Sequence, residues 1–232
     1  MERKYHKSIL AFIDLLASKN EIINDNGSFL TKLGSIYEST LRIYKTACSV
    51  SVRNRIKAKI FSDNIVFECE VLSEEDCFLE FIDIAFITSI YQEELLRHNI
   101  LCRGGISVGD AYLDDTFVFG RALSEAYLLE SKTAIYPRVI ISKKLAEVVY
   151  PITSNSGGCY DYMCALDKDG EFYVDYLNSP GKGKEDRINF IRKLIEINSK
   201  ELKRQDIDSC VKCKLLWHQD YLNMKLSYFS GT

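Results

Sequence analysis

Nothing in the sequence supplies an excess of positive charge. Its 30 Lys and Arg face 33 Asp and Glu, a net charge of −3, so no global basic field argues for a nucleic-acid partner. No stretch approaches the roughly 18 apolar residues of a membrane span, so no membrane association is expected. The leading "MERKYHKSILAFIDLL" begins charged, but its apolar run is short and contains Asp14, so it reads as neither a signal peptide nor an anchor. Histidine is scarce: His6, His98 and His218 are far apart and read as surface or helix-end residues rather than catalytic bases. The eight cysteines are scattered, and without a secretory signal they read as reduced core thiols of a cytoplasmic protein. Cys210 and Cys213 form a lone CxxC with no second pair, short of the four ligands that structural zinc wants. Internal repeats and low-complexity tracts are lacking. "SPGKGKEDR" (179–187) lacks the G-x-x-x-x-G-K-[ST] phosphate loop and reads as a solvated linker.

What is present is an ordinary globular composition, 47% hydrophobic and 27% charged, long enough to bury a real core. Ser8 to Asp14 is a short apolar run of the buried-strand kind. "NDNGS" (24–28) is a loop, with Ser28 placed to cap a helix running to about Cys48. In that helix Leu30, Leu33, Ile36, Tyr37, Leu41 and Tyr44 share one face. "RIKAKIFS" and "IVFECEVL" are strands joined by a short turn at Asp63-Asn64. "SEED" (73–76) opens a long helix to about His98, with Ser73 and Asp76 in its cap. "ILCRGGISVGDAYL" is a further core strand whose glycines mark a bulge or a close backbone approach. A helix over 120–132, a strand over 138–142, a short helix, a hairpin turning at Lys168-Asp169-Gly170, and helices over 184–205 and 207–228 complete the chain. The order β–α–ββ–α–β predicts an α+β, ferredoxin-like fold: an antiparallel-rich sheet backed by helices, ending in a β-hairpin and helices. Residues 1–183 read as one domain and 184–232 as a helical extension packed on it or on a dimer partner.

Two carboxylates interrupt this apolar scaffold. Asp14 ends the first strand and Asp63 sits at the tip of the following hairpin. In a β–α–ββ sheet these elements are neighbours, so both can face one edge. Taken singly, Asp63-Asn64 is an ordinary turn pair and Asp14 can cap the next element. Taken together, two unpaired carboxylates repel unless a dication lies between them, and hard oxygen ligands suit Mg²⁺ or Mn²⁺, with substrate phosphates completing the octahedron. Glu125 and Glu130 read as exposed helix residues, and Arg103 either holds a neighbouring carboxylate or meets phosphate.

"AFIDLLASK", "KIFSDNIVF" and "CRGGISVGDAYLDDTFVFGRALSEAYLLES" together resemble the catalytic core of class III nucleotidyl cyclases, most closely the Pycsar-type pyrimidine cyclases of bacterial anti-phage defence. The resemblance spans roughly residues 5 to 145. It implies a lyase that turns UTP into 3′,5′-cyclic UMP and pyrophosphate with two Mn²⁺ or Mg²⁺ ions per site, as an antiviral second messenger. CTP to cyclic CMP, or a non-catalytic nucleotide-binding homologue, are the alternatives. Asp14 and Asp63 would be the metal aspartates and Leu15 would lend its carbonyl to a metal. The amides of Leu16, Ala17, Ser18 and Lys19 would meet the β- and γ-phosphates, a role that amides at a helix start suit physically. Lys59 would read the base. The resemblance further implies a bacterial cytoplasmic homodimer with composite sites and a separate effector responding to the cyclic nucleotide.

Three positions depart from the purine-cyclase pattern: Phe117 replaces a base-reading aspartate, Ser124 a ribose-binding asparagine, and Leu128 the arginine that steadies developing charge. The first change suits a pyrimidine substrate. The last leaves Arg121 or Arg103 to supply the missing cation, or leaves a protein that binds nucleotide without turning it over.

Overall fold

The structure is a computed structural model that describes residues 3–48, 55–72, 77–154, 163–178 and 183–231, without the side chains of 152–154. Its strands are β1 (His6–Leu15), β2 (Ile56–Phe61), β3 (Asn64–Glu70), β4 (Cys102–Leu113), β5 (Val118–Gly120), β6 (Val139–Ile141), β7 (Ala165–Leu166) and β8 (Phe172–Tyr173). The helices are α1 (Lys19–Ile23), α2 (Ser28–Ala47), α3 (Phe78–Arg97), α4 (Arg121–Leu128), α5 (Lys143–Ser154), α6 (Lys184–Leu202) and α7 (Ser209–Ser230). The strands form one sheet in the order β2-β3-β1-β4-β6-β8-β7, with β5 paired to β4. The expected α+β architecture is therefore present. β1 lies at its centre, antiparallel to β3 and to β4, and only β6 joins its neighbour β4 in parallel.

The apolar run of β1 is continuous because both of its faces are covered. Ile9, Ala11 and Ile13 point into the main core with Ile36 and Tyr44 of α2 and Phe81 and Ile84 of α3. Leu10 and Phe12 point the other way, against Val66 and the small face of α4, Ala122 and Ala126. That helix lies near the sheet, and Gly105 of β4 makes room for it, while its neighbour Gly104 makes room for the β1 backbone. A Cβ at Gly105 would stand 2.3 Å from the Ala126 carbonyl oxygen, and one at Gly104 would stand 2.4 Å from that of Phe12. The glycine-rich stretch of β4 is thus a close-approach device, as its sequence indicates.

The helical tail packs through its own cluster, in which Leu194, Tyr221 and Leu222 meet Leu96, Tyr173, Tyr176 and Leu177. Beside it, Arg138 is fully buried, paired with Asp167 and Asp169 and surrounded by the rings of Tyr136, Tyr173 and Trp217. No helix among the described residues is long and apolar enough to cross a membrane.

Several local expectations need correction. Asp25, not Ser28, caps α2: its carboxylate accepts from the backbone N–H groups of Gly27, Phe29 and Leu30. Asx geometry places that acceptor ahead of the first turn, where unpaired N–H groups gather. Leu30 is exposed, because Phe29 turns inward in its place. His218 is buried rather than superficial, and Glu130 is buried rather than exposed. Lys184 to Arg187 open α6, and Arg187 is buried, so this end of "SPGKGKEDR" is helix rather than linker. Cys69, Cys77, Cys102 and Cys164 are buried free thiols, whereas Cys210 and Cys213 are exposed. Ser73, Asp76 and Cys159 lie outside the described residues.

Candidate active site

Strand pairing alone brings the two aspartates together. Asp14 is the last residue of β1 to pair with β3, and its partner there is Asn64, the neighbour of Asp63. The hairpin tip is then sealed onto β1, since the Leu15 N–H donates to the Asp63 carbonyl at 3.2 Å. Ser62, in the tip, adopts a left-handed φ of 56°, which the tight two-residue turn requires. The Asp63 carboxylate is fixed from two sides: Ser18 Oγ donates to one oxygen at 2.5 Å and Asn64 Nδ2 to the other at 3.2 Å.

Asp14 is half-buried on the same edge. Burial, followed by the charge of Asp63, pushes its carboxyl above the ordinary range, while Arg103 and Lys214 pull it down. Arg103 comes from β4, where it pairs across the sheet with Asp14, and its Nε lies 3.8 Å from an Asp14 oxygen. Its far nitrogen makes a 2.6 Å ion pair with Glu130, and that carboxylate is itself raised by burial and by Asp14. Asp63, Asp14, Arg103 and Glu130 therefore form a line of alternating neighbours in which one guanidinium serves two carboxylates.

The inward turn of Glu130 and the task of the Ser18 hydroxyl escaped the sequence reading. Glu130 sits in a π-helical turn, Leu129–Thr133, that prolongs α4. Ala122, Ala126 and Glu130 recur every fourth residue, so the spacing that buries the two alanines also predicts an inward Glu130. For Ser18 the expectation concerned its amide, whereas the structure assigns a task to its hydroxyl.

The other candidates divide. The Leu15 carbonyl lies 3.2 Å from Ser18 Oγ, whose hydrogen goes to the nearer Asp63 carboxylate, and it follows Asp14 directly in the chain. The Leu16 amide is committed to the Leu101 carbonyl at 2.8 Å, so in this conformation it is not offered to a phosphate. Ala17 takes a left-handed φ of 62° as the chain turns toward α1, leaving Ala17, Ser18 and Lys19 to form the turn. Lys59 is half-buried and its ammonium donates to the carbonyls of Asp114 and Asp115, which ties it to the turn that carries Phe117. Arg121 is exposed and pairs with Glu125 at 2.8 Å, and Ser124 Oγ donates to the Gly120 carbonyl; neither contacts the aspartates.

Two adjacent carboxylates and a carbonyl are hard oxygen donors, the set that Mg²⁺ or Mn²⁺ prefers. Among the described residues no group of three or more His, Cys, Asp or Glu side chains is placed to hold a metal. Any ion here would thus rest on two carboxylates and draw its remaining ligands from backbone, water or substrate oxygens. The raised Asp14 carboxyl and the cation held 3.8 Å away are what such a pair needs when no ion lies between them.

No protein-family model and no curated protein matches the sequence. Solved structures do. The chain is similar to the adenylyl cyclase CyaB from P. aeruginosa, with a TM-score of 0.52 and 17% identity, over 75% of this chain and 95% of that one. It is also similar to the guanylyl cyclase Cya2 (TM-score 0.47, 16% identity, 64% and 80% of the chains). A class III adenylyl cyclase-like ATP-binding protein from Pseudomonas aeruginosa follows (TM-score 0.49, 9% identity, 75% and 40% of the chains). At such identities the likeness is one of fold: the helix-backed, antiparallel-rich α+β sheet described above is shared with the adenylyl cyclase CyaB.

Proposed function

We propose that this chain is a nucleotide cyclase of the class III kind, a phosphorus–oxygen lyase that converts UTP to 3′,5′-cyclic UMP and pyrophosphate. The observation that carries the reading is the juxtaposition of Asp14, whose strand partner is Asn64, with Asp63 at one edge of the sheet. In the reaction the ribose 3′-oxygen forms a bond to the α-phosphorus while the bond to pyrophosphate breaks. Asp14, Asp63 and the Leu15 carbonyl would hold two Mg²⁺ or Mn²⁺ ions, which supply charge neutralisation for the triphosphate and ease loss of the 3′-hydroxyl proton. Ser18 and Asn64 hold the Asp63 carboxylate in place, and Arg103 favours the ionised, ligating form of Asp14. The turn at Ala17, Ser18 and Lys19 offers backbone N–H groups to the β- and γ-phosphates.

Lys59 and Phe117 meet at one turn, where a lysine donor suits the O4 of uracil and Phe117 stands in place of the family's base-reading aspartate. CTP, giving cyclic CMP, is the alternative substrate. Exposed Ile60, Phe61, Phe117, Phe119, Tyr127 and Leu128 supply apolar surface for the homodimer with composite sites that we propose. Arg121 or Ser124 of one protomer would then serve the other's site. Residues 1–183 would form the catalytic domain, with 184–232 as its extension. A cytoplasmic bacterial setting and a separate effector, as in antiviral second-messenger signalling, complete the proposal.

A second reading is a nucleotide-binding homologue without turnover. What favours it is the salt bridge of Arg121 to Glu125 on the exposed side of α4, with Leu128 in the place of the family's arginine. Pure protein incubated with each of the four NTPs and Mn²⁺ tests both. Cyclic UMP is expected, and it should vanish in Asp63→Ala while the circular dichroism spectrum stays. No cyclic product from any NTP refutes the enzyme, and cyclic AMP alone refutes the pyrimidine assignment.

A further inference from the structure

Behind the Leu16–Ala17 turn, on the side of the helical tail, lies a cavity of about 420 Å³ bounded by the end of α3 and by α6 and α7. Its walls are apolar, built from Leu96, Leu101, Leu194 and Leu215. At about 30 Å³ per water, it has the bulk of roughly fourteen waters. Polar side chains also line it: Asn99, Asn198, Glu201, Lys214 and His218. His218 of α7 is 3% exposed and lines the cavity, and its buried Nε2 has no hydrogen-bond partner among the described residues. Burial lowers its pKa to about 4, so the ring is neutral at physiological pH. A buried, unpaired ring nitrogen is costly and calls for a partner.

Lys214 lies one helical turn before His218 and lines the same cavity. Among the described residues no carboxylate is within ion-pair distance of its ammonium. Glu201, also at the rim, is engaged by Arg204 at 3.1 Å. The cavity therefore presents an apolar body, a neutral imidazole and, among the described residues, a cation with no carboxylate within ion-pair distance, both on one face of α7.

We propose that this cavity binds a small amphipathic carboxylate. Its apolar chain lies among the four leucines, and its head group accepts from the Lys214 ammonium, with the His218 ring turning its buried Nε2–H toward it. Lys214 also acts electrostatically on Asp14, and Leu16 and Ala17 are shared between the cavity and the turn beyond Asp14. The occupant would thus sit against the back of the candidate active site, as an effector rather than a substrate. The proposal stands on the cavity alone and does not require nucleotide turnover.

The probe is octanoate, with 1-octanol as its uncharged counterpart, titrated by calorimetry into the full chain. Octanoate should bind one-to-one below millimolar concentration and octanol about tenfold or more weaker, as loss of a charge-assisted hydrogen bond implies. Lys214→Met should weaken octanoate about tenfold and leave octanol unchanged. His218→Phe, which fills part of the space, should weaken both. No heat with octanoate at 1 mM (~10³ μM, the weak end for a specific site) overturns the proposal. So does a Lys214→Met variant that binds octanoate as well as wild type. If His218→Phe does not fold, Lys214→Met decides alone, since that side chain is only half-buried.

Discussion

Glu130→Gln is the substitution that most directly tests how the carboxylates are held. It keeps the shape of the side chain and removes the charge that Arg103 meets at 2.6 Å. Glu130 is 4% exposed, and breaking one partner of a buried pair ordinarily costs about 3–5 kcal/mol. Here the guanidinium is not orphaned. It retains Asp14 at 3.8 Å and the Ala134 carbonyl at 3.5 Å, and it is itself a quarter exposed. The expected cost is therefore smaller, about 1–3 kcal/mol, read by urea unfolding at pH 7. For a chain of this length each kcal/mol lowers Tm by about 2–4 °C, so a fall of about 4–8 °C is the central expectation. The second consequence concerns the neighbouring site. With Glu130 neutral, the whole charge of Arg103 turns on Asp14 and competes with any cation there, so Mn²⁺ affinity should fall about three- to tenfold. Stability within about 0.5 kcal/mol of wild type, with unchanged Mn²⁺ binding, would refute the account, because that is what an unconnected surface substitution gives.

Other expectations follow from the same contacts. Gly105→Ala should cost at least about 1–3 kcal/mol by thermal melting, since its Cβ would meet the Ala126 carbonyl oxygen at 2.3 Å and Leu129 Cβ at 2.6 Å; a wild-type Tm would contradict the close approach of α4. Asp14→Asn should stabilise the protein in EDTA by about 0.5–1.5 kcal/mol, because burial and Asp63 make an ionised Asp14 oppose folding above pH 4, and it should abolish cyclisation; a loss of stability would refute the repulsion. His218 has a folded pKa near 4, below the unfolded value of about 6.5, so wild type should lose stability as pH falls from 6.5 to 4. Against wild type, His218→Phe should gain up to about 3 kcal/mol across that window. Asp83, pushed up to about 6 by burial, acts oppositely: its penalty is absent below pH 4 and complete above 6, and Asp83→Asn should remove it, as denaturation at pH 4 and 7 would show.

The scaffold was readable where a repeating pattern meets a single environment. β1 and β4 are apolar on both faces, α3 carries a broad apolar side, and the hairpin of β2 and β3 is bracketed by its polar tip. The aspartates were readable for the same reason, as polar residues at the ends of apolar strands. Side-chain tasks at chain turns were not. Ser18 belongs to no periodic element, and its bond to Asp63 spans 45 residues, so nothing local announces it. Asp25 was passed over for Ser28 because a cap depends on backbone dihedrals that composition leaves open. His218 was missed because α7 has apolar residues on several sides, which obscures the face that turns inward.

The burial of Glu130 and the placement of Arg103 have one physical origin. Two carboxylates at one sheet edge repel, and in the absence of an ion something must offset that repulsion or the strand ends part. Arg103 is placed by the register of β4 opposite Asp14 and so supplies the opposing charge from within the sheet. A guanidinium fixed by Asp14 alone would remain there and contest the position with an incoming cation. Glu130, offered from α4 at the shorter distance of 2.6 Å, gives Arg103 a second and closer partner. Were the proposed ion bound at Asp14, Arg103 would keep Glu130 as its partner and not be left unpaired. In this sense the inward glutamate of α4 belongs to the site as a positioning residue, although it touches neither aspartate.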